Sequence, residues 1–197
     1  MSKRREYRSA IRSKKLIRQA FADLMENRSI DSIKVTEIVE KAGISRATFY
    51  AHFSDANAVI NQLENEIIEK LNDLLSGLKY HKFVEDSISI LYKIEGYIEE
   101  DLELFSKLIK SSSSDRFINE LKQMALNKLF LQSEIPEEIL KNKKFLISIN
   151  FIAGGMVNLY TSWIKKEIDC TLREITHEVY KHIQLFHENL INKTEVN

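Results

Sequence analysis

Apolar side chains recur at intervals of three and four residues along most of this chain. That spacing places them on one face of an α-helix, so it predicts a series of amphipathic helices. One proline and five glycines leave little turn chemistry for a fold built of strands, and the Leu, Ile, Lys and Glu content favours helices. The sequence therefore predicts an all-α protein.

The apolar rows also predict where the helices begin and end. The first is expected over about residues 9–27, with four side chains facing inward: Leu16, Ala20, Phe21 and Leu24. Two short helices are expected within residues 34–53, and Ser54 or Asp55 is expected to cap a fourth that ends near residue 76. Five further helices are expected over about residues 83–98, 102–109, 116–131, 137–166 and 171–191, with Pro136 at the start of the fourth of them.

The net charge of zero conceals an asymmetry between the two parts of the chain. Residues 1–54 contain 12 Lys and Arg against 6 Asp and Glu, whereas residues 55–197 contain 17 against 23. A basic segment joined to an acidic remainder is typical of a nucleic-acid-binding module attached to a second domain. Residues 2–8, SKRREYR, form a basic arm that we expect to be disordered in the free protein and able to follow a phosphate backbone.

Residues 34–53, KVTEIVEKAGISRATFYAHF, predict a helix, a tight turn and a second helix. Val35, Ile38 and Val39 give the first helix its apolar face, and Gly43 can adopt the left-handed conformation that ends it. Ser45 then occupies the N-cap position of the second helix, which is expected to continue to His52. This order of elements is the helix-turn-helix layout of DNA-binding proteins.

The stretch AGISRATFYAHF resembles the signature of TetR/AcrR-type transcriptional regulators, and the likeness extends back to Leu16 and fades after about Leu63. The resemblance implies an N-terminal three-helix helix-turn-helix DNA-binding domain and a C-terminal helical ligand-binding and dimerisation domain. We accordingly expect a basic arm over residues 1–8, a DNA-binding domain over 9–69 and a regulatory and dimerisation domain over 70–197. Residues 151–164 and 175–183 also resemble the last two helices of a TetR subgroup that includes the co-activator of dihydroxyacetone-kinase operons.

The candidate DNA-binding residues lie in and around the two short helices. By position, Ser45, Arg46, Ala47 and Thr48 project from the helix that enters the major groove, where Arg46 either reads a guanine or contacts a phosphate. Thr48, Tyr50 and His52 resemble the family's phosphate-contacting positions, although Tyr50 is alternatively a core residue, as Phe49 and Phe53 are expected to be.

Two positions depart from the family pattern. Lys34 stands where a Thr commonly begins the second helix. A charged side chain therefore replaces a capping hydroxyl, and Thr36 need not supply that cap in its place. We include both Lys34 and Thr36 among the DNA-binding candidates. Ala56 replaces a Lys, which removes a phosphate contact and predicts a weaker, salt-dependent affinity.

The C-terminal part offers six residues that suit a ligand pocket, although such a stripe more often forms a core: Tyr92, Phe105, Phe117, Asn150, Asn158 and Trp163. No Gly-rich phosphate loop or nucleophile–base pair indicates an enzyme, and no cofactor is expected. His177 and His182 are five residues apart, which separates them by about 140° around a helix and disfavours a metal site. Cys170 is the single cysteine, so we expect no internal disulfide and a cytoplasmic location.

Residues 145–164 carry no charge and are long enough to span a bilayer. Asn150, Gly154, Asn158 and Thr161 nevertheless fall on one stripe, and amides are costly in lipid, so we expect no membrane contact but a helix buried in a bundle and across a dimer interface.

Together these features predict a ligand-responsive, homodimeric repressor that binds a near-palindromic operator in double-stranded DNA. The alternative is a co-activator or protein-interaction module of the same fold with weak or no specific DNA binding, which Lys34 and Ala56 favour.

Overall fold

The computed structural model describes residues 2–25, 28, 32–76, 83–111, 114–128 and 137–194 of the chain. Side chains are described over residues 9–25, 28, 32–76, 87–111, 114–128, 137–186 and 188. Within these ranges every helix or strand assigned is an α-helix apart from single short turns, so the predicted all-α class is confirmed. The helices are α1 Ser2–Met25, α2 Val35–Ala42, α3 Arg46–Tyr50, α4 Ala56–Leu74, α5 Phe83–Glu100, α6 Leu102–Lys110, α7 Ser114–Leu126, α8 Glu137–Leu140, α9 Lys143–Ile164 and α10 Leu172–Thr194.

The chain divides into two compact units. The first, called the head unit, comprises Met1–Ile67 and Lys110–Ser114; the second, called the body unit, comprises Ile68–Ile109 and Asp115–Asn197. Helix α4 begins in the head unit, where Asp55 Oδ1 accepts a hydrogen bond from the Ala58 N–H at 2.7 Å, and continues into the body unit. Asp55 is thus the N-cap that the sequence offered as one of two choices.

In the head unit, α1 packs on α2 and α3 around fully buried apolar side chains: Ile17, Phe21, Ile38 and Phe49. Two ion pairs join helices of this unit, Arg18 with Glu66 on α4 and Lys41 with Asp23, whose charged atoms are 3.5 Å apart. In the body unit, α10 packs against both α5 and α9. Its core is again apolar and includes Leu108, Phe117, Phe145, Ile149 and Ile183.

The first helix differs from its prediction at its start and on one face, while its predicted end near residue 27 lies outside the described residues. It begins at Ser2, so the backbone of the segment expected to be disordered is helical. The segment contains neither Gly nor Pro, and its Lys, Arg and Glu residues have high helix propensity. The buried row is Ile17, Ala20, Phe21 and Met25, whereas Leu16, expected to face inward, is 39% exposed because it lies about 100° from Ile17 around the helix.

The long helix predicted over residues 137–166 is interrupted. The Asn142 side chain accepts hydrogen bonds from the N–H groups of Lys144 at 2.9 Å and Phe145 at 3.3 Å, which begins α9 as a new helix after the short α8. An Asn side chain competes for backbone hydrogen bonds and therefore favours a cap over a helix interior. Helix α7 ends at Leu126, and residues 129–131 of the predicted helix, like Pro136, lie outside the described residues.

Candidate DNA-binding site

Helix α2 begins with an unconventional cap. The Glu37 carboxylate accepts a hydrogen bond from the backbone N–H of Lys34 at 3.0 Å and also pairs with the Arg28 guanidinium. The hydrogen bond from Lys34 and then the contact with Arg28 hold the pKa of Glu37 below its ordinary value. A lysine side chain has no acceptor, so the reciprocal bond that a Thr at this position would supply from its hydroxyl is missing.

The turn between α2 and α3 is set by Gly43. Its φ is +63° and its ψ is 38°, the left-handed region in which a residue with a Cβ is strained. The Gly43 N–H donates to the Glu40 carbonyl at 3.2 Å and the Ile44 N–H to the Val39 carbonyl at 3.1 Å, so the last carbonyls of α2 find partners. The left-handed residue therefore ends α2 at the position that the sequence indicated.

Ser45 starts α3. Its Oγ accepts a hydrogen bond from the Thr48 N–H at 3.0 Å and lies 2.8 Å from the Thr48 hydroxyl. This N-cap holds the short helix with the side chains of Arg46 and Ala47 exposed. The hydroxyls of Ser45 and Thr48 bond to each other, which leaves Arg46 as the charged side chain presented by the first turn of α3.

The aromatic residues of this region divide between core and surface. Phe49 is fully buried and Phe53 nearly so, with ring centroids 5.9 Å apart, as expected of core residues. Tyr50 is 57% exposed and rests edge-on against Phe49 at 5.5 Å. Its hydroxyl is therefore carried on the outside of the head unit by a ring that the core holds in place.

His52 has a partner that the sequence pattern did not reveal. Its Nε2 lies 2.8 Å from the hydroxyl of Ser13, a nearly buried residue of α1. The Ser13 hydroxyl also lies within hydrogen-bond distance of the Ser9 and Ala10 carbonyls, at 3.0 and 3.1 Å. One hydroxyl thus contacts both the backbone of α1 and the imidazole of His52. The segment after α3, which ends at Tyr50, is thus tied to α1 across 39 residues of sequence.

None of the eight predicted DNA-binding residues is buried in the head unit. Lys34, Thr36, Ser45, Arg46, Ala47 and Tyr50 are exposed, while Thr48 and His52 are half-buried. The fold brings Ser45 and Thr48 into contact and attaches His52 to Ser13. Their contacts with DNA remain predictions.

The match of the sequence to protein-family models agrees with the helix-turn-helix geometry of the head unit. Residues 17–63 match the family described as bacterial regulatory proteins, tetR family, and residues 85–185, about half of the chain, match a TetR model described as a transcriptional regulator C-terminal region. The chain belongs to the TetR family of transcriptional regulators. TetR-family members are regulators rather than enzymes, which agrees with the prediction made from the sequence.

Two curated relatives, both described as HTH-type transcriptional regulators, match part of the chain. The chain is 34% identical over 67 residues to DhaS, the dhaKLM operon transcriptional activator of Lactococcus lactis, and 31% identical over 61 residues to the regulator YvdT of Bacillus subtilis. These matches cover 34% and 31% of this chain and 36% and 31% of the relatives. The chain therefore spans about a third of the length of the curated relatives it matches.

Solved TetR structures cover most of the chain. A TetR-family regulator of Syntrophomonas wolfei superposes with a TM-score of 0.66 at 15% identity, over 88% of this chain and 94% of that chain. The dihydroxyacetone kinase operon activator DhaS superposes with a TM-score of 0.55 at 16% identity, over 90% and 95%. At these identities the likeness shows the fold.

The body unit of this TetR protein contains a cavity of about 70 Å³. Helices α4, α5, α6, α7 and α9 contribute its wall, which is almost entirely hydrocarbon. The wall residues are Leu71, Leu75, Ile94, Ile98, Phe105, Ile109, Leu121, Met124, Ala125, Met156, Val157, Tyr160, Thr161 and Ile164.

Of the six predicted pocket residues, Phe105 lies in the wall of this cavity and the other five do not. The Tyr92 hydroxyl is 2.9 Å from Nε2 of His177, and Phe117 is fully buried in the core. The remaining three lie along α9: Asn150 is exposed and its amide donates to the Leu146 carbonyl, Asn158 is exposed, and the Trp163 indole N–H donates to the Cys170 carbonyl at 2.8 Å.

Helix α9 carries exposed apolar side chains as well as buried ones. Ile147 and Phe151 are 70% and 79% exposed and lie four residues apart on one face, next to the partly exposed Leu146. Leu185 on α10 is also about half exposed. Within the described residues α9 is the one helix long and apolar enough to cross a bilayer by length and composition, and a third of its most apolar stretch is buried.

The described part of the chain contains no group of three His, Cys, Asp or Glu side chains that could hold a metal ion. His177 bonds to Tyr92, and the half-buried Cys170 has a pKa raised first by burial and then by the nearby Glu174 and Asp169. His177 thus bonds to Tyr92, and the Cys170 carbonyl accepts from the Trp163 indole.

Proposed function

We propose that this chain acts as a homodimeric repressor that binds a near-palindromic operator and responds to a small molecule. The observation that carries the proposal is the capped recognition helix α3, which presents Arg46, Ala47 and Tyr50 to solvent on a basic head unit. Side chains exposed on a short helix that follows a helix-turn-helix turn are the ones that reach base edges and phosphates.

Arg46 carries the proposed base contact. It is exposed, and it is the charged residue at the start of α3, where a guanidinium can pair with the O6 and N7 of a guanine. Lys34, Thr36, Thr48, Tyr50 and His52 are proposed to fix the position of the head on the phosphate backbone. The division into a DNA-binding domain over residues 9–69 and a regulatory domain over 70–197 is part of the same proposal.

The test is selection of bound fragments from the source genome by the purified protein at two salt concentrations. We expect a palindrome that remains enriched at the higher salt. Arg46→Ala should reduce its enrichment by about 5- to 150-fold, the loss of about 1–3 kcal/mol of base discrimination. Arg116→Ala, which removes an exposed arginine from α7 in the body unit, is the matched control and should bind normally. Binding that is indifferent to sequence and lost at the higher salt would contradict the proposal.

The exposed face of α9, defined by Leu146, Ile147 and Phe151, supports the homodimer. Large exposed apolar side chains on one helix face mark an interaction surface, and a symmetric pair of such faces would cover both. The proposed pairing of the two α9 faces would bury the apolar stretch of this helix between the subunits. It therefore also supports a cytoplasmic protein without membrane contact. Phe151→Lys should shift the protein from dimer to monomer in sedimentation, whereas Ile11→Lys, the same change at an exposed apolar residue of α1, should not.

A second function has specific support. DhaS of Lactococcus lactis, named as a transcriptional activator, is 34% identical to this chain over 67 residues, and Lys34 and Ala56 depart from the family pattern for DNA contact. A co-activator of this fold would act through another protein. A stable partner complex in pull-downs, together with the absence of any enriched operator, would favour this function over repression.

A further inference from the structure

The first turn of α2 carries an acidic side chain among residues that are proposed to meet DNA. Glu37 directly follows Thr36 and comes three residues after Lys34, and the side chains of Lys34 and Thr36 are exposed. Because its pKa is lowered, the Glu37 carboxylate is ionised at neutral pH. A negative charge at this place repels a phosphate backbone unless a positive charge offsets it.

Both oxygens of the Glu37 carboxylate have partners. Oε2 accepts from the backbone N–H of Lys34 at 3.0 Å, and Oε1 pairs with Nη1 of Arg28, which lies nine residues earlier in the chain. One carboxylate therefore holds the Arg28 guanidinium beside the backbone that opens α2. The charge of Arg28 offsets that of Glu37, so the positive charge of Lys34 remains in excess at the start of the helix.

The Arg28 guanidinium keeps donors after this bond. A guanidinium carries five N–H groups, and among the described residues the structure shows one partner for Arg28, the Glu37 carboxylate. The contact uses Nη1, so the edge formed by Nε and Nη2 is left. That edge presents two parallel N–H groups whose spacing matches two oxygens of a phosphate. The Arg28 side chain is 46% exposed, so an external anion can approach it.

The ion pair between Arg28 and Glu37 suits orientation better than stabilisation. Ion pairs between exposed side chains contribute little to stability, because water screens the charges and both side chains lose freedom. The Lys34 N–H fixes the Glu37 carboxylate, and the carboxylate in turn restricts the directions open to Arg28. A guanidinium that is already restricted loses less freedom when it binds a phosphate, so the pair holds Arg28 ready for an anion.

We propose that Arg28 is a further DNA-contacting residue, whose guanidinium is oriented by Glu37 and binds a backbone phosphate beside the start of α2. The proposal rests on the proposed function, to which it adds a contact. Glu37 becomes a positioning residue that does not itself touch DNA. Because the contact is made with the backbone, it adds affinity for any double-stranded DNA and reads no sequence.

The experiment measures how DNA binding by the full-length protein depends on salt. Fluorescence anisotropy gives the binding constant over about 50 to 200 mM salt, on a mixed-sequence duplex and on any palindrome recovered by fragment selection. Arg28→Ala should reduce the slope of log K against log salt by about one unit on both duplexes and weaken binding several-fold, because one phosphate contact is lost. Arg116→Ala is the matched control and should keep the full slope, since Arg116 is 50% exposed and pairs with Glu120 at 2.8 Å on α7.

Glu37→Gln distinguishes a phosphate contact from a structural tie. It breaks the same ion pair but leaves the positive charge of Arg28 in place, so its slope should be at least as steep as that of the wild type. Equal losses of affinity in Arg28→Ala and Glu37→Gln, with an unchanged slope in both, would overturn the proposal by showing that Arg28 only supports the start of α2. If circular dichroism shows that Arg28→Ala loses helix, Arg28→Gln, which retains a hydrogen-bonding side chain, takes its place.

The use of two duplexes separates this proposal from the proposed function. An enriched palindrome whose salt slope is unchanged in Arg28→Ala would remove the phosphate contact and leave the regulator. A slope reduced by Arg28→Ala on the mixed-sequence duplex, without any enriched palindrome, would support the contact and defeat the operator-binding repressor.

Discussion

In the head unit, three side chains of the helix-turn-helix region each reach a partner through a hydrogen bond: Glu37 to Lys34, Ser45 to Thr48 and His52 to Ser13. In the body unit, the cavity wall is assembled from five helices and consists almost entirely of carbon atoms whose positions depend on packing. A hydrogen bond requires a fixed distance and direction, whereas dispersion contacts are weak individually and tolerate adjustment. The head is therefore suited to hold one geometry, and the body to admit a molecule.

The largest expected effect tests how tightly the head is packed. Phe49→Ala removes a fully buried ring that contacts Phe53 and supports Tyr50, and it should lower the free energy of unfolding by about 3–5 kcal/mol. Phe105→Ala enlarges a cavity that already exists, so it should cost less. Guanidinium denaturation followed by circular dichroism measures both. Equal losses would contradict the contrast between the two units.

The caps of α2 and α10 allow a direct comparison of the two units. At α10, Thr171 donates its N–H to Glu174 at 2.7 Å, and the Glu174 N–H donates to the Thr171 hydroxyl at 3.2 Å, a complete capping box. At α2 only one of the two hydrogen bonds of such a box is present, the one from the Lys34 N–H to the Glu37 carboxylate. Lys34→Thr should complete the box and stabilise the protein by about 1 kcal/mol, while the loss of its charge should reduce the salt dependence of DNA binding by about one unit of slope.

Thermal unfolding and DNA titration over a range of salt check the two parts of that prediction separately. Lys34→Gln is the control. It removes the charge but does not add the short hydroxyl that would accept from the N–H of Glu37. It should reduce the salt slope and leave the stability nearly unchanged. A Lys34→Thr protein that binds DNA with an unchanged slope would remove Lys34 from the proposed phosphate contacts.

Ser13 should affect DNA binding through His52. Ser13→Ala removes the hydroxyl that forms a hydrogen bond with His52 Nε2, so the imidazole loses this contact and DNA affinity should fall several-fold, the equivalent of about 1 kcal/mol. Ser9→Ala, an exposed serine one turn earlier on α1, is the control and should bind normally. Fluorescence anisotropy with an operator fragment gives both values. Restoration by Ser13→Thr, which retains the hydroxyl, would distinguish positioning from a general loss of packing.

The smallest expected effect is a dependence of stability on pH. The folded-state pKa of Glu37 is lowered by the Lys34 N–H and by Arg28, so its carboxylate stabilises the fold above its unfolded-state pKa, and that contribution is lost as the pH falls through the folded-state value. The melting temperature of Glu37→Gln should therefore vary less than that of the wild type between about pH 6 and pH 3. Glu69→Gln, on the exposed side of α4, should retain the full dependence.

The local features of the head could be predicted because they depend on residues close in sequence. Gly43 ends α2 by its own left-handed conformation. Ser45 caps α3 by accepting a hydrogen bond from the N–H of Thr48, which is three residues further along the chain. The Ser13–His52 contact was missed because its partners are 39 residues apart and a serine within a helical pattern gives no signal of its own.

The cavity was harder to predict because its wall also joins residues that are far apart in the sequence. Aromatic and amide residues were selected as pocket candidates, but Asn150 and Asn158 face solvent on α9 and Phe117 is core, while aliphatic residues such as Leu71 and Val157 form the wall. Aliphatic side chains at helical spacing look alike in sequence whether they border a core or a void. The break at Asn142 is a local feature that the prediction overlooked, because an apolar row continued on both sides of it.

The bond between Ser13 and His52 also limits how His52 can meet DNA. The Ser13 hydroxyl engages Nε2 at 2.8 Å, so Nδ1 is the ring nitrogen left to face a phosphate oxygen. The ring cannot turn its other nitrogen outward without losing its contact with α1. The first helix and the segment after α3 must therefore keep their spacing while the head unit is on DNA, so the first helix takes part in recognition without touching a base.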